Sequence, residues 1–248
     1  MYPLTHVYFA QKVLGYIDDA TTLGSMFPDM VILCGIPWDE SHRLGITLWP
    51  HLKNASGPII PFVKGIITHG IEPRGLDYYS DEQYGIFEKG YCFEKARPLV
   101  KQVVEALNIP PENGWWKAHN FIEMGIELYM DDRHSWLQRQ VFQAFQNKYL
   151  IDRLVSDLSP LLPQRNRLLD QCFSIFENAT TQGEISAALL AARYEKQINH
   201  RHNIDSIDIL HCQALIEEGR RIIEAEVEEF FEDVKQRIVP VWDEYASK

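Results

Sequence analysis

Trp115–Met130, WWKAHNFIEMGIELYM, is the stretch that most narrows what this chain can become. His119 and Glu123 stand four apart, which on a helix puts an imidazole and a carboxylate on one face, about one turn from each other. Phe121, Ile122, Met124, Ile126 and Leu128 fill the flank, so that face turns towards a core. A carboxylate is costly to bury without something positive opposite. A divalent metal is one such partner and an ordinary ion pair is another, and the segment alone leaves both open.

The rest of the chain is helical in pattern too. His6, Phe9, Ala10, Val13, Leu14 and Ile17 recur at helical spacing after Thr5, which reads as an N-cap. Residues 58–72 form an apolar helix ending near His69. A helix is expected over about 95–107, and a break at Pro110–Gly114 precedes the His119 helix. Beyond residue 130, amphipathic helices are expected over 136–155, 165–178 and 183–198, with Ser159-Pro160 and Pro163 as breaks. A long helix of about 205–237 closes the chain, with a Glu-rich solvated face. No stretch alternates apolar and polar residues as a half-buried strand does. The expectation is an all-α, single helical domain over 1–248, with 1–130 as a metal-site half and 131–248 as a C-terminal helical extension.

Charge and apolar runs exclude several classes. The net charge of −11 argues against a nucleic-acid footprint, which needs clustered Lys and Arg. It also disfavours docking by charge on an anionic membrane. No apolar run approaches the roughly 18 residues of a membrane span. The opening MYPLTHVYFAQKVLG lacks the basic start and long apolar core of a secretory signal, so a cytoplasmic setting is expected. Cys34, Cys92, Cys172 and Cys212 show no CxxC spacing and are read as reduced thiols.

Taken in order, His6, Asp29, His42, His69, Asp77, Asp81, His119 and Glu123 are the candidate ligands. Each also has a plainer reading. His6 fits a capping or core histidine, and Asp29, in the turn Thr21–Asp29, fits a helix cap. His69 could bond a backbone carbonyl, and Asp77 with Asp81 could favour a helix N-terminus by charge. His51 is a runner-up to His42, and His200, His202 and His211, in or near Asn199–Asn203, fit a second metal cluster or, more simply, an exposed interhelix turn. Mixed nitrogen and oxygen ligands suit zinc, with manganese or iron as variants. More than four ligands imply more than one ion. A multi-metal site in a helical bundle makes hydroxide at neutral pH and clamps phosphoryl oxygens, which points to phosphoester hydrolysis. The aromatics Tyr78, Tyr79, Tyr84, Phe87, Tyr91 and Phe93 fit a substrate pocket or a core.

The order and local wording of these residues resemble the zinc-dependent phospholipase C family, which shares its fold with single-strand-specific nucleases. The likeness lies in Thr5-His6, Gly24–Asp29, Ser41-His42, Gly65–His69, Leu76-Asp77 and His119–Glu123, and it spans about residues 1–130. The resemblance implies a multi-helix bundle of that type with extra C-terminal helices. It implies one zinc at Asp29, His42, His69 and Asp77, a second at Asp81, His119 and Glu123, and a third drawing on His6 and Asp77. Asp29 is the candidate for the added catalytic role of orienting or deprotonating the attacking water. The implied cofactor is one to three zinc ions, with manganese, iron or magnesium at the second site. The implied substrate is a small-molecule or lipid phosphoester.

The chain departs from the family pattern at three places. Secreted relatives ligate through an N-terminal tryptophan, where Met1 stands here. His69 and Asp77 are eight apart, with Glu-Pro-Arg-Gly between, in place of the usual four. Asp81, a harder oxygen ligand, replaces a histidine. These departures carry the alternative, a helical scaffold or binding protein with a relict structural metal site. A His-Asp-doublet phosphohydrolase needs an adjacent His-Asp, which this chain lacks. A di-iron bundle expects Glu-x-x-His rather than His-x3-Glu.

Overall fold

The computed structural model describes residues 1–52, 55–162, 166–180, 183–202, 204 and 206–247. Pro163 and Asn203 lie outside them. Among the described residues the elements are helical, with no strand, which is the all-α class expected. In order they are α1 (Pro3–Leu14), α2 (Asp19–Ile32), α3 (Trp38–Ser41), α4 (Leu44–Leu52), α5 (Ile59–His69), α6 (Tyr91–Lys95) and α7 (Val100–Leu107). There follow α8 (Gly114–Arg133), α9 (Trp136–Gln146), α10 (Lys148–Leu158), α11 (Asn166–Thr180), α12 (Ala187–His202), α13 (Ile209–Ile223) and α14 (Val227–Ser247). A π-helical turn spans Tyr78–Glu82. No described helix is long and apolar enough to cross a membrane.

The chain divides into two compact units. The α1 unit comprises Pro3–Tyr78, Ser135–Gln182 and Glu232–Lys248; the α8 unit comprises Met1–Tyr2, Tyr79–His134 and Gly183–Phe231.

The α1 unit is organised by α2 lying on α5. Asp18 starts α2, its Oδ1 accepting from the Thr21 amide at 2.7 Å. The turn expected over Thr21–Asp29 is instead the body of this helix, which runs through Pro28. Proline inside a helix costs about 3 kcal/mol. Leu23, Met26, Phe27, Met30 and Val31 are all fully buried, and each contributes roughly 1.5–3 kcal/mol, so packing outweighs the proline. The two helices approach closely where they lack side chains. A Cβ on Gly65 would lie 2.5 Å from the Thr21 carbonyl oxygen, and one on Gly24 would strike the Phe62 carbonyl. This contact fixes Asp29, in the last turn of α2, against His69, the last residue of α5.

Two other expectations in this unit are corrected. Thr5 is not a cap but lies inside α1, buried, because the helix begins at Pro3, where a missing amide costs nothing. Cys34 and Cys172 are not free thiols. They form a disulfide with Cα atoms 5.8 Å apart, tying the turn after α2 to α11, while Cys92 and Cys212 are free and buried. A pairing 138 residues apart in sequence leaves no trace in local spacing.

In the α8 unit the same device recurs. Gly125 of α8 meets the Gly219–Arg220 backbone of α13, and Gly219 meets the Phe121 carbonyl. Phe121 meets Tyr194 of α12 edge-on at 5.5 Å. Tyr91 stacks on Phe230 at 4.1 Å. Of the aromatics from Tyr78 to Phe93, Tyr79, Tyr91 and Phe93 are buried core residues, whereas Phe87 is exposed.

Two of the helices expected in the second half are broken into shorter ones. The expected 136–155 helix breaks at Asn147, whose side chain accepts from the Leu150 amide at 3.2 Å and so starts α10. The expected 205–237 helix is two, α13 and α14. The helix expected to stop at residue 198 continues to His202, so His200 sits on α12 rather than in a turn.

Candidate metal centre

Five of the eight candidates belong to the α1 unit, and the fold brings them together. His6 comes from the first turn of α1, Asp29 from α2, His42 from the C-cap of α3, His69 from the end of α5, and Asp77 from the following turn. The His69–Asp77 step closes on itself. The Gly75 amide donates to the Gly70 carbonyl at 2.8 Å, and the Ile71 amide donates to the His42 carbonyl at 2.9 Å. The four extra residues loop out, and Asp77 returns beside His69.

Asp77 is the hub, 2% exposed. Its Oδ2 is 3.0 Å from His42 Nε2 and 3.2 Å from His69 Nε2, and its Oδ1 is 3.6 Å from His6 Nε2. His42 Nε2 and His69 Nε2 are 3.2 Å apart. Asp29 closes the group, 3.9 Å from both His6 Nε2 and His42 Nε2. The Asp29 side chain alone opens to solvent, at 27%.

The outer ring nitrogens are anchored to the main chain. His69 Nδ1 donates to the Ser25 carbonyl at 2.6 Å, and His42 Nδ1 lies 3.0 Å from the Trp38 carbonyl. Trp38 also stacks on the His42 ring at 4.3 Å. With both Nδ1 atoms bonded to the main chain, both rings present Nε2 inward, the arrangement that second-shell carbonyls give metal-binding histidines. At 3.2 Å the two Nε2 atoms can share a proton or flank a cation. Tetrahedral zinc with bonds of about 2.0–2.1 Å to nitrogen has ligand atoms roughly 3.3 Å apart. The observed 3.0–3.2 Å triangle of His42, His69 and Asp77 fits that edge. His6 adds a further sign: neither of its buried ring nitrogens has a hydrogen-bond partner. Its ring lies flat on His69, centroids 3.5 Å apart.

Charge follows the geometry. Burial first, then the neighbouring His69, hold the His6 imidazole well below its ordinary value, although Asp77 pulls the other way. His69 is raised: burial opposes its charge, but Asp77 and the Ser25 carbonyl outweigh it. Burial alone would raise Asp77. Within its own unit His69, His6 and the bond from His42 hold it down, so that it lies well below the usual carboxylate range.

The remaining three candidates, Asp81, His119 and Glu123, gather in the α8 unit with ligand atoms within 4.8 Å of one another. Asn120 orders them, donating through Nδ2 to His119 Nε2 at 2.9 Å and to Glu123 Oε2 at 3.4 Å. Its Oδ1 accepts from the Tyr194 hydroxyl at 3.1 Å, which sets the amide's orientation. His119 stacks on Phe93 at 4.1 Å, and its buried Nδ1 lacks a hydrogen-bond partner. The Met1 amino nitrogen lies 3.1 Å from Glu123 Oε1. Burial pushes His119 down to about 4, against the pull of Glu123.

That shift has a checkable consequence for metal-free protein. Between about pH 6.5 and 4 the unfolded chain binds a proton at this imidazole that the folded chain refuses. Stability is therefore lost as pH falls through the window. The denaturant midpoint of metal-free protein is expected to drop across it, and His119→Gln to flatten the drop.

All eight candidates thus fall into two groupings. His51 is exposed on α4, and His200 is exposed on α12; neither joins a grouping among the described residues. The residues that orient the ligands were not foreseen. Ser25 and Trp38 act through main-chain carbonyls, which no side-chain pattern reveals. Asn120, directly after His119, was a legible signal. Comparison with protein-family models, curated proteins and solved structures returns no match.

Proposed function

We propose that this chain is a metal-dependent hydrolase of phosphoesters that holds zinc at His42, His69 and Asp77, with His6 and Asp29 beside them. The observation that carries the reading is the inward-facing Nε2 pair, each ring anchored through Nδ1 to a carbonyl, with the Asp77 carboxylate between them. Asp81, His119 and Glu123 form the second position, where the harder oxygen of Asp81 also suits manganese, iron or magnesium. The order of these residues along the chain supports a likeness to the zinc-dependent phospholipase C family. It rests on the short motifs alone.

Bound zinc would lower the pKa of a water and neutralise phosphoryl charge. The protein supplies the rest. The carbonyls of Ser25 and Trp38 anchor two imidazoles with Nε2 inward. The ionised Asp77 offsets the cation's charge where water is excluded. Asp29, the carboxylate of the α1-unit group that opens to solvent, is the candidate to accept the proton of an attacking water. The substrate class is a small-molecule or lipid phosphoester; the acid-rich chain suits no stable nucleic-acid partner.

One observation favours a structural metal site instead: four of the five ligand candidates in the α1 unit are 2% exposed or less, and a closed site is structural. Metal analysis with an aryl phosphodiester assay separates the two, since bound zinc without turnover on any phosphoester retains only the structural reading. The Cys34–Cys172 bond supports an oxidising compartment rather than the cytoplasmic setting expected.

His119→Ala is expected to strip metal from the second position and lower turnover by about 100-fold or more, leaving helical content unchanged. Full metal content and full rate in that variant would remove His119 from the site.

A further inference from the structure

The segment between Asp81 and α6 presents an apolar tip that the core does not use. Ile86 is 100% exposed and the adjacent Phe87 42%. Scattered surface apolar residues are ordinary, but these two stand on a built turn. The Phe87 amide donates to the Tyr84 carbonyl at 3.1 Å, closing a four-residue turn with Ile86 at its corner. Gly85, at φ +58°, permits that corner without the strain another residue would bring. Gln83 Nε2 donates to the Phe87 carbonyl at 3.0 Å and braces the turn from outside.

The base of the loop is equally fixed. The Gly90 amide donates to the Asp81 carbonyl at 3.1 Å, pinching the ends together. A Cβ on Gly90 would strike the Ser80–Asp81 backbone. Tyr84 packs edge-on against Phe230 at 5.0 Å and Tyr91 at 5.9 Å. The loop is therefore a short, braced protrusion with its apolar corner outward, and its neck is Asp81 itself.

Charges around the tip are paired. Lys89 lies 3.8 Å from Glu82, and Arg97 lies 3.2 Å from Glu88 and 2.6 Å from Glu94. A rim of paired charges on a chain of net −11 gives no attraction to an anionic surface, whereas zwitterionic headgroups also carry both signs. A specific protein partner needs roughly 1,000 Å² of complementary surface, and two side chains on a convex corner fall far short. An apolar medium that takes in a protruding side chain needs no matching shape.

We propose that the Tyr84–Phe87 turn inserts Ile86 and Phe87 into the interface of a zwitterionic lipid bilayer, giving weak, reversible attachment with the Asp81 neck at headgroup level. The attachment is independent of any hydrolytic activity and is measured without turnover. The probe is co-sedimentation of the full chain with phosphatidylcholine vesicles at millimolar lipid. Wild-type protein is expected to partition, and Ile86→Asp to lose partitioning by roughly 10- to 100-fold with an unchanged helical spectrum. Tyr149→Asp, at another exposed aromatic (83%) on α10, is expected to partition as wild type. Added phosphatidylserine is expected to give no gain. A wild-type chain that stays in the supernatant, or an Ile86→Asp variant that sediments like wild type, would overturn the proposal. So would a lipid-free wild-type oligomer that Ile86→Asp dissociates, which would assign the tip to a contact between copies.

Discussion

Asp77→Asn is expected to lower aryl phosphodiester turnover by about 100-fold or more and zinc affinity by roughly 10- to 100-fold, with the fold retained. The carboxylate is buried and lies within 3.6 Å of three imidazoles. An amide of the same shape keeps one weak oxygen donor but loses the negative charge. A cation bound between the imidazoles would then lack its counter-charge in a dry site. The isostere leaves packing alone, so a collapse of metal binding without unfolding separates a ligand from a core residue. A second readout belongs to the metal-free protein. Asp77 is the leading cause of the raised His69 titration, so in the variant His69 loses its proton at a lower pH, visible in its imidazole proton resonances. Full zinc content together with an unmoved His69 titration would place the anion elsewhere. Asp29→Asn is the contrasting variant: that side chain is 27% exposed and 3.9 Å from its nearest imidazoles. It is expected to reduce turnover more than zinc content, because the role proposed for this solvent-facing carboxylate is to accept the proton.

How far this could be read from the residues differs from one to the next. The helical class was legible because apolar residues recur at spacings of three and four in most segments from His6 through Val234. The eight candidates were legible because each imidazole or carboxylate lies near a helix end or on an apolar helix face. Their division into two groupings also follows chain order, with Asp77 ending one and Asp81 opening the other. Misreadings arose where tertiary contact overrides local preference. Pro28 and the small residues before it signal a turn, yet α2 runs through them because five apolar side chains are buried on that helix. Thr5 signals a cap, yet the helix starts two residues earlier. The Cys34–Cys172 bond and the Ser25 and Trp38 carbonyls join residues through space, and side-chain spacing carries no information about either. The eight-residue step from His69 to Asp77 looked like a defect in the site. It is a loop closed by the Gly75–Gly70 backbone hydrogen bond and tied to His42 through Ile71, with Asp77 returned beside His69.

Gly24→Ala tests whether the site depends on how α2 and α5 meet. The added methyl group would occupy the position of the Phe62 carbonyl oxygen, and that oxygen belongs to a helix backbone that cannot rotate away. The helices must separate, which leaves Phe27, Phe62 and Met26 imperfectly packed in a core where they are fully buried. Overpacking of this kind costs about 1–3 kcal/mol and more where backbone is displaced; about 3 kcal/mol is expected here, measured as a fall in denaturant midpoint. Helix propensity alone predicts the opposite sign, since alanine is favoured over glycine by about 1 kcal/mol in a helix interior. The sign of the change therefore decides which effect wins. Gly15→Ala is the companion variant: φ there is +74° and nothing lies within 4 Å of the new methyl group, so only backbone strain of about 1–2 kcal/mol is added. Because α2 ends near Asp29 and α5 ends at His69, Gly24→Ala is also expected to lower zinc content, whereas Gly15→Ala is expected to keep it. A Gly24→Ala protein with reduced stability but full zinc occupancy would mean that the ligands are held by their own loops, the closed turn after His69 above all, rather than by the helix crossing.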